Sequence, residues 1–565
     1  MSPSLPLLRQ LQASVLFTMT LALSSVVVAA QPRGEPGTVV ATPPDMTYYA
    51  LQGDTLLGIA KRFTNQSQNW TILSKKNQII DDKTIPIGTA IRIPLDLLPE
   101  VDSEAKVVAL AGNPVYKLPN GNEANLTVGT VLKEGTQILT GKNGFVTLAL
   151  PDESRISIPS NSQVALSKLR KTQYTSSPRT ELSLVEGKVE SRVSSLNTNK
   201  GRFEVRSPLA IAGVRGTHFR VGVNDFGTAN EVLEGGVAVD QAKAKKAAKL
   251  TLGAGKGNIV NASGVGKPVD LLPAPELDEG GRLQIRPTMQ FLAQTMPAAQ
   301  AWRVQVSKDA QALDVLMENR FKDRRFKFDG LEDGDYFLRV AAIDQHGLEG
   351  IPLIQSFTLK ARPEPPFTSQ PKNKIRADKV DFSWTEAANA DNYRVQIARD
   401  SDFKTLVHDE AGIRNVHWTN DKLADGDYYW RIATIAQKNG KPDQGPFSDA
   451  QKFQKLPQQG AASFADSEGK DITLSWPAEP GQTFLIQLAA DKDFTRLLLS
   501  KELTQAELTL PRPAPGDYFI RVKATDPDGY VGNFSGTQKI NISARWTTSD
   551  GDALRSAAGV VKTGY

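Results

Sequence analysis

The spacing of apolar residues changes twice over positions 48–94, and this stretch is the clearest structural signal in the chain. A short β-prone run over 48–51 is followed by apolar residues at i, i+3, i+4 and i+7, the spacing of one helix face. These residues are Leu56, Ile59, Ala60 and Phe63. A second helix can begin after Asn69, and a second strand covers 90–93 before a proline ends it. The predicted order is therefore strand, helix, helix, strand.

Polar residues at the helix ends complete the pattern. Gly53, Asp54 and Thr55 break the first strand and offer a cap for the first helix, while Asn77 tolerates the left-handed conformation that ends helices. The whole stretch resembles the LysM domain, a small βααβ module that binds glycans containing N-acetylglucosamine. In that family the glycan lies between the first strand–helix loop and the loop after the second helix. The resemblance thus implies one wall of Gly53, Asp54, Thr55 and Leu56 and another of Asn77, Gln78, Ile79 and Ile80.

Such a groove suits an N-acetylated sugar. Loop N–H and C=O groups can pair with the acetamido group, and Leu56 and Ile79 can pack on its methyl group. The alternative is that Asp54 and Thr55 only cap the helix, and both roles are compatible. The sequence departs from the family in a polar link over 64–69 and in Leu57, where the family often has an aromatic residue. These departures predict a weakened affinity.

From residue 104 to residue 268 the apolar positions alternate with period two, which is typical of strands with one buried face. Val146, Leu148 and Leu150 form one such run, and Ile156 and Ile158 resume it after a turn. Helical spacing does not occur in this region. The sequence predicts an all-β domain of antiparallel or coiled strands.

Several segments of this region resemble the FecR-like domain of bacterial envelope proteins. They are Gly135–Gly144, Leu148–Ile158, Glu186–Val189, Phe203–Val223 and Val232–Val239. The run Val-Arg-Gly-Thr-His-Phe is the most specific of them. In signalling members this domain lies outside the inner membrane and relays receptor status to a cytoplasmic anti-sigma segment. Here only Met1–Gln12 precede an apolar stretch, so the resemblance does not imply a direct sigma-factor role.

Basic residues in this region have two interpretations. Arg206, Arg215, His218 and Arg220 are close in sequence and could bind an anion, but a solvated polar strand face is the favoured interpretation. Lys243–Lys249 is a basic stretch that an exposed loop would accommodate.

The last half of the chain contains three copies of one pattern. Gly-Asp-Tyr begins a strand at Gly334, Gly426 and Gly516, which are 92 and 90 residues apart. A period near ninety residues with alternating strands predicts a β-sandwich per copy. The copies resemble fibronectin type III domains.

That resemblance implies a role for particular aromatic residues. Trp384 and Trp476 stand where the family has its core tryptophan, and the first copy offers Phe291 or Leu292 instead. The tyrosines of the three Gly-Asp-Tyr turns are placed to hydrogen-bond the backbone at a sandwich corner; they are Tyr336, Tyr428 and Tyr518. The alternative for Phe337, Trp430 and Phe519 is a sugar-binding platform, but their regular spacing favours the core.

Composition narrows the function further. The 565 residues predict several domains, and a net charge of +5 is too small to favour a nucleic-acid partner. Cysteine is absent, which excludes disulfides and thiolate chemistry. Residues 1–30 have the pattern of a secretory signal peptide cut after Ala30; a retained membrane anchor is the alternative.

No catalytic grouping is apparent in the sequence. Its four histidines are scattered over different modules, and the recurrent Asp335, Asp427 and Asp517 lie in turns that enter strands. We therefore predict no catalytic residue, no metal and no cofactor, although a glycosidase needs only two carboxylates across a cleft.

Together these patterns predict a multidomain, mainly β protein with one small βααβ module. The predicted segments are a signal peptide (1–30), a linker (31–46), a LysM module (47–95), a FecR-like domain (104–268), three repeats (282–360, 374–455 and 463–543) and a flexible tail (544–565). The predicted function is binding of peptidoglycan, or a similar N-acetylglucosamine polymer, by an exported envelope protein that presents its β domains to an unknown envelope protein. No membrane span is expected after signal cleavage. The alternative function is a periplasmic sensor acting through the FecR-like domain.

Overall fold

The structure is a computed structural model that describes residues 33–81, 85–194, 201–214, 216–242, 250–465, 470–550, 552–561 and 563. The predicted signal peptide, Arg215 and the basic stretch 243–249 lie outside these residues. The chain divides into two compact units. Unit 1 runs to Pro273 and includes the segments Leu313–Glu318 and Ile343–Ile351; unit 2 contains the rest.

Unit 1 begins with the small α/β module. Its elements are β1 (Val39–Thr42), β2 (Asp45–Tyr49), α1 (Leu56–Thr64), a 3-10 turn (Ser67–Asn69), α2 (Trp70–Asn77), β3 (Ala90–Pro94) and a second 3-10 turn (Leu95–Leu97). The strands form one antiparallel sheet in the order β1-β2-β3. The predicted order of strand, helix, helix and strand is thus present. The predicted linker over 31–46 differs from the structure, because it contains β1 and the start of β2.

The apolar spacing of α1 explains how this module folds. All four predicted face residues are buried, and they pack with β2 and β3 in one core. Fully burying a side chain such as Leu56 contributes about 1.5–3 kcal/mol, so this face holds the helix on the sheet. Thr55 caps the helix by accepting a hydrogen bond from the Gly58 N–H at 3.1 Å.

The central domain of unit 1 consists of strands, as the period-two pattern predicts. Its strands are β4 (Glu100–Asp102), β5 (Ala105–Ala111), β6 (Val115–Lys117), β7 (Glu123–Asn125), β8 (Val131–Leu132), β9 (Gln137–Leu139), β10 (Phe145–Ala149), β11 (Arg155–Ile158), β12 (Gln163–Thr172), β13 (Pro178–Glu186), β14 (Lys188–Arg192), β15 (Arg202–Arg206), β16 (Ala210–Val214), β17 (His218–Asn224), β18 (Gly227–Glu234), β19 (Gly236–Gln241), β20 (Leu250–Gly253), β21 (Lys256–Asn261), β22 (Gly264–Val265) and β23 (Val269–Asp270). They form two ten-stranded sheets. One runs β22-β21-β18-β17-β14-β11-β10-β5-β8 and the other β20-β19-β16-β15-β13-β12-β9-β6-β7.

Alternating apolar residues of both sheets share one core. Val146, Leu148, Ile156 and Ile158 of the first sheet pack with Leu182 and other apolar residues of the second. Most neighbouring strands are antiparallel, but β13 and β15 are parallel. The crossing from β13 to β14 turns at Gly187, where φ is +80° and a Cβ atom would lie 2.3 Å from the Ser162 Oγ atom. Only glycine fits this turn without strain.

The three repeats are made of strands as well. The first has β24 (Leu283–Gln284), β25 (Met289–Leu292), β26 (Ala301–Ser307), β27 (Val315–Phe321), β28 (Arg325–Phe328), β29 (Gly334–Ile343) and β30 (Leu353–Leu359). The second has β31 (Thr368–Gln370), β32 (Asn373–Arg376), β33 (Val380–Trp384), β34 (Asn392–Ala398), β35 (Leu406–Ile413), β36 (His417–Asn420), β37 (Gly426–Lys438), β38 (Lys441–Phe447) and β39 (Gln451–Leu456). The third has β40 (Ser463–Ala465), β41 (Asp471–Ser475), β42 (Thr483–Ala489), β43 (Leu497–Leu503), β44 (Glu507–Pro511), β45 (Gly516–Thr525) and β46 (Gln538–Ile542). The predicted flexible tail contains a short hairpin of β47 (Arg555–Ser556) and β48 (Gly559–Val560).

Two sheets face each other in the second and third repeats. In the second, β31-β33-β36 packs on β32-β39-β37-β34-β35; in the third, β40-β41-β44 packs on β43-β42-β45-β46. The predicted start of the second repeat at residue 374 is too late, because β31 and the first residue of β32 lie before it.

The predicted corner tyrosines form the same hydrogen bond in every copy. Each hydroxyl donates to the carbonyl oxygen four residues earlier: Tyr336 to Glu332 at 2.8 Å, Tyr428 to Ala424 at 2.7 Å and Tyr518 to Ala514 at 2.8 Å. A bond of this kind fixes the turn that enters the long strand of each copy.

The core tryptophans are also where the sequence places them. Trp384 and Trp476 are buried, and each makes an edge-on ring contact, with Tyr393 and Phe484 respectively. The first copy differs from the prediction. There the buried positions of β25 continue to Ala293, so alanine and not Phe291 or Leu292 takes the place of the tryptophan.

A group of charged residues joins the second repeat to the third within unit 2. The guanidinium group of Arg376 is buried; its Nε atom lies 3.0 Å from Asp526, and its two Nη atoms lie 2.8 and 2.6 Å from Glu479. Burial opposes ionisation of Asp526, but hydrogen bonds from Gln482, Arg376 and Lys374 outweigh it and lower the pKa of this carboxyl group. Removing one partner would leave a buried charge without its counter-charge.

Candidate functional site

The chain segments that leave β2 and enter β3 are paired at one end of the small sheet. Tyr49 at the end of β2 pairs with Ala90 at the start of β3. The loop that leaves β2 and the loop that enters β3 therefore begin and end side by side. Hydrogen bonds from Ala50 to Thr89 (3.0 Å) and from Gly88 to Ala50 (2.7 Å) continue this pairing beyond the strands. The predicted second wall, Asn77–Ile80, lies earlier in the chain, after α2, and is fixed to β3 by hydrogen bonds between Asn77 and Arg92.

Asp54 organises the first loop. Its Oδ2 atom accepts hydrogen bonds from the Tyr48 hydroxyl at 2.5 Å and from the Leu51 N–H at 2.8 Å. Its Oδ1 atom lies 3.3 Å from the Arg62 guanidinium, which also donates to the Tyr48 hydroxyl at 2.9 Å. Burial and the bond to Asp54 raise the pKa of Tyr48. The hydrogen bonds of the Asp54 carboxylate therefore fix the conformation of the loop, and so does the bond by which the Thr55 hydroxyl caps α1.

Leu56 does not lie where the sequence analysis expects it. Its side chain is fully buried in the core of the module. The methyl group of a bound sugar cannot reach it in this conformation. Leu57, the residue noted for replacing an aromatic, is instead half exposed.

Asn77 is also structural rather than solvent-facing. Its amide nitrogen donates to the carbonyl oxygens of Leu73 and Arg92, both at 2.9 Å, and its Oδ1 atom accepts from the Arg92 N–H at 2.7 Å. The two bonds to Arg92 join α2 to β3, and the bond to Leu73 lies within α2. The left-handed residue that ends α2 is Gln78, with φ of +54°, and not Asn77.

The remaining predicted residues are accessible. Gly53 and Gln78 are exposed, Ile79 is half buried against the core, and the side chain of Ile80 is fully exposed. Gly53 has φ of +81° and open space around its Cβ direction. The open glycine turn offers backbone polar groups, and the exposed isoleucine offers an apolar side chain; these are the two features that an N-acetyl group requires.

Polar strand residues of the central domain behave differently from the favoured interpretation. His218 and Arg220 share one strand face, but both are buried. The imidazole Nε2 atom of His218 lies 2.7 Å from Glu190. The solvated-face interpretation is therefore wrong for this pair.

Arg220 belongs to a buried cluster of balanced charge within unit 1. It lies 2.6 Å from Glu231 and 3.3 Å from Glu349, and Lys188 lies 2.9 Å from Glu349. Its Nη2 atom donates to the carbonyl oxygens of Glu349 and Gly350 at 2.7 and 2.9 Å. Two cations meet two carboxylates here, so the cluster does not offer a net positive charge to an anion.

The recurrent aspartates of the repeats are held by the neighbouring strand. Asp335 accepts a hydrogen bond from the Thr358 hydroxyl at 2.6 Å. Asp517 accepts a hydrogen bond from Asn541 at 2.8 Å and forms an ion pair with Lys539 at 2.8 Å. Turn and strand pairing account for these residues. Among the residues that the structure describes, no group of three or more His, Asp or Glu side chains is arranged to hold a metal ion.

Within the described ranges, neither the length nor the apolar character of any helix is sufficient to cross a bilayer.

The chain is multidomain and mainly β. The family described as FecR protein matches residues 136–238, which confirms the FecR-like prediction for that part of the chain. No curated protein matches the chain.

Solved structures are similar to parts of the chain. The FN1–FN3 domains of chicken CNTN1 are 15% identical with a TM-score of 0.19, over 48% of this chain and 98% of that one. Two structures of a candidate anti-sigma factor from Parabacteroides distasonis are 20% and 19% identical, each with a TM-score of 0.19. Each covers 24% of this chain and 59% of its own.

Proposed function

We propose that this chain is an exported bacterial envelope protein whose module over residues 47–95 binds N-acetylglucosamine polymers such as peptidoglycan. The observation that supports the proposal is that each candidate segment is fixed to one of two paired strands: Asp54 bonds Tyr48 of β2, and Asn77 bonds Arg92 of β3. Gly53, Gln78 and Ile80 are accessible in these segments; Gly53 supplies the backbone contact and Ile80 the apolar contact. The FecR domain and the repeats then present surfaces for an envelope partner.

Co-sedimentation of the purified protein with insoluble peptidoglycan tests this function. We expect the protein to pellet with the polymer and chitin oligomers to release it. Ile80→Asp should weaken binding roughly tenfold, because a charge would replace an apolar contact worth about 1.4 kcal/mol. Ile72→Asp is the matched control, since Ile72 is exposed on α2 outside both loops. Equal binding by the wild type and both variants would place the contact elsewhere.

A sensor of the envelope state is the second candidate function. The FecR match over residues 136–238 favours it. Crosslinking in native envelopes, followed by identification of the partner, separates the two functions. Support for the sensor would be a partner that crosslinks to surface residues of 136–238. Changing those residues should abolish the crosslink, while the protein still pellets with peptidoglycan.

We further propose that the protein makes no covalent change in its ligand. The recurrent aspartates are held in strand pairs, which supports a structural role for them. Mass spectrometry of soluble products after incubation with peptidoglycan tests this. Products that disappear when one carboxylate is replaced by its amide would overturn the proposal.

A further inference from the structure

An open groove lies at the boundary of the first and second repeats within unit 2. Its volume is about 640 Å³. One wall is the run Pro363–Phe367, and the rim carries Glu332, Glu386 and Lys438. The groove is remote in sequence from the module proposed to bind glycan.

Its charge is opposite to that of the whole chain. Five carboxylates line it against two cations, Arg362 and Lys438, whereas the chain carries a net charge of +5. Two of the five, Asp333 and Asp443, are occupied by Lys360 at 3.3 and 2.8 Å. The other three are glutamates with exposed side chains: Glu332, Glu364 and Glu386. These three face solvent and leave the groove acidic.

An aromatic ring stands beside these carboxylates. Phe367 is 81% exposed, an unusual state for a phenylalanine in a folded domain. Its backbone is fixed at both ends, because its N–H donates to the Thr385 hydroxyl at 3.0 Å and its carbonyl oxygen accepts from the Thr385 N–H at 3.0 Å. The ring is therefore presented by a held segment, next to prolines whose rings add an apolar surface.

We propose that this groove binds a basic, extended peptide segment of a partner protein. Lysine and arginine have apolar stems and charged ends, so they match a surface of proline and phenylalanine bordered by carboxylates. The same chemistry occurs inside the repeats, where Lys308 lies 4.3 Å from the Tyr336 ring centre and Arg399 lies 3.8 Å from that of Tyr428. The small net positive charge of the chain does not attract a cationic peptide, so binding relies on this local acidic surface.

Fluorescence anisotropy with the full chain tests the proposal. The probe is a fluorescein-labelled decapeptide of alternating lysine and alanine, titrated at 50 and 200 mM salt. We expect saturable binding that weakens at the higher salt concentration. Phe367→Ala and the double variant Glu364→Gln, Glu386→Gln should each weaken it roughly three- to tenfold, as expected for lost cation–π and exposed ion-pair contacts.

Matched controls decide between a site and general charge. Phe226→Ala removes an exposed ring in unit 1, and Glu502→Gln, Glu507→Gln removes two exposed carboxylates in the third repeat. Unchanged affinity in both controls supports the groove. Three results would each overturn the proposal. They are equal losses of affinity in the controls and the groove variants, the absence of saturable binding, and displacement of the probe by chitin oligomers but not by unlabelled peptide.

Discussion

Replacing Asn77 by alanine separates a structural role from a ligand-binding role for the second loop. The amide of Asn77 makes three hydrogen bonds, one within α2 and two that join α2 to β3, and its side chain is buried. We therefore expect Asn77→Ala to destabilise the module before it affects any sugar contact.

The size of the effect follows from these bonds. Each hydrogen bond contributes about 1 kcal/mol net, so the loss of three costs about 3 kcal/mol. A module of this size has a free energy of unfolding of roughly 2–7 kcal/mol at ordinary stability per residue. The substitution therefore removes about half or more of that free energy.

Amide hydrogen exchange on the full chain measures this directly. A loss of about 3 kcal/mol should speed exchange roughly a hundredfold in peptides from residues 45–98, while peptides from the repeats stay unchanged. Lys75→Ala is the control, because Lys75 is exposed on the same helix. Retained protection together with lost peptidoglycan binding in Asn77→Ala would refute the structural interpretation and return Asn77 to the groove wall.

Three further outcomes are expected in the repeats. Trp384→Ala should cost about 3–5 kcal/mol as a core truncation, measured by urea unfolding, whereas Trp546→Ala, whose ring is 61% exposed, should cost less than about 0.5 kcal/mol. Tyr428→Phe should cost about 1 kcal/mol through the lost corner bond, seen as a lower melting temperature. Because the pKa of Asp526 is lower in the folded state, its contribution is present above the unfolded pKa of about 4 and is lost as pH falls below it. In Arg376→Met the free energy of unfolding of the third repeat should therefore depend less on pH in the acid range, and an unchanged pH dependence would contradict this.

Periodicity predicts elements better than it predicts the direction of polar side chains. The helix face of α1 follows from spacing alone, because 3.6 residues per turn leaves one arrangement that buries all its apolar residues. The roles of Leu56 and Asn77 do not follow from spacing. Leu56 belongs to that buried face, and Asn77 meets Arg92, which lies fifteen residues later in the sequence. The sequence alone does not distinguish a loop residue that hydrogen-bonds a distant strand from one that binds a ligand.

In the central domain, too, the sequence predicts the strand face of a side chain but not what covers that face. Alternation places His218 and Arg220 on one strand face, and the structure agrees with that placement. Whether that face meets water depends on the segment Ile343–Ile351, more than a hundred residues further along the chain. Nothing near Arg220 in the sequence indicates that Glu349 covers it. The repeats are different, because three copies show which positions recur. A glutamine accepts a hydrogen bond from an arginine in every copy, at 3.1, 2.7 and 2.8 Å; the pairs are Gln305 and Arg339, Gln396 and Arg431, and Gln487 and Arg521.

The proline-rich stretch Pro363–Phe367 connects the first repeat to the second and also forms one wall of the acidic groove. Pro363, Pro365 and Pro366 have no N–H to donate, so they interrupt the strand pattern and indicate a linker. In the folded chain the same lack of donors leaves this wall apolar and unpaired with a neighbouring strand, while Phe367 is held by Thr385. The residues that end one repeat before the next begins thus form a surface that neither repeat has by itself. A binding site at such a boundary follows from the order of the repeats, and it would be absent from either repeat studied in isolation.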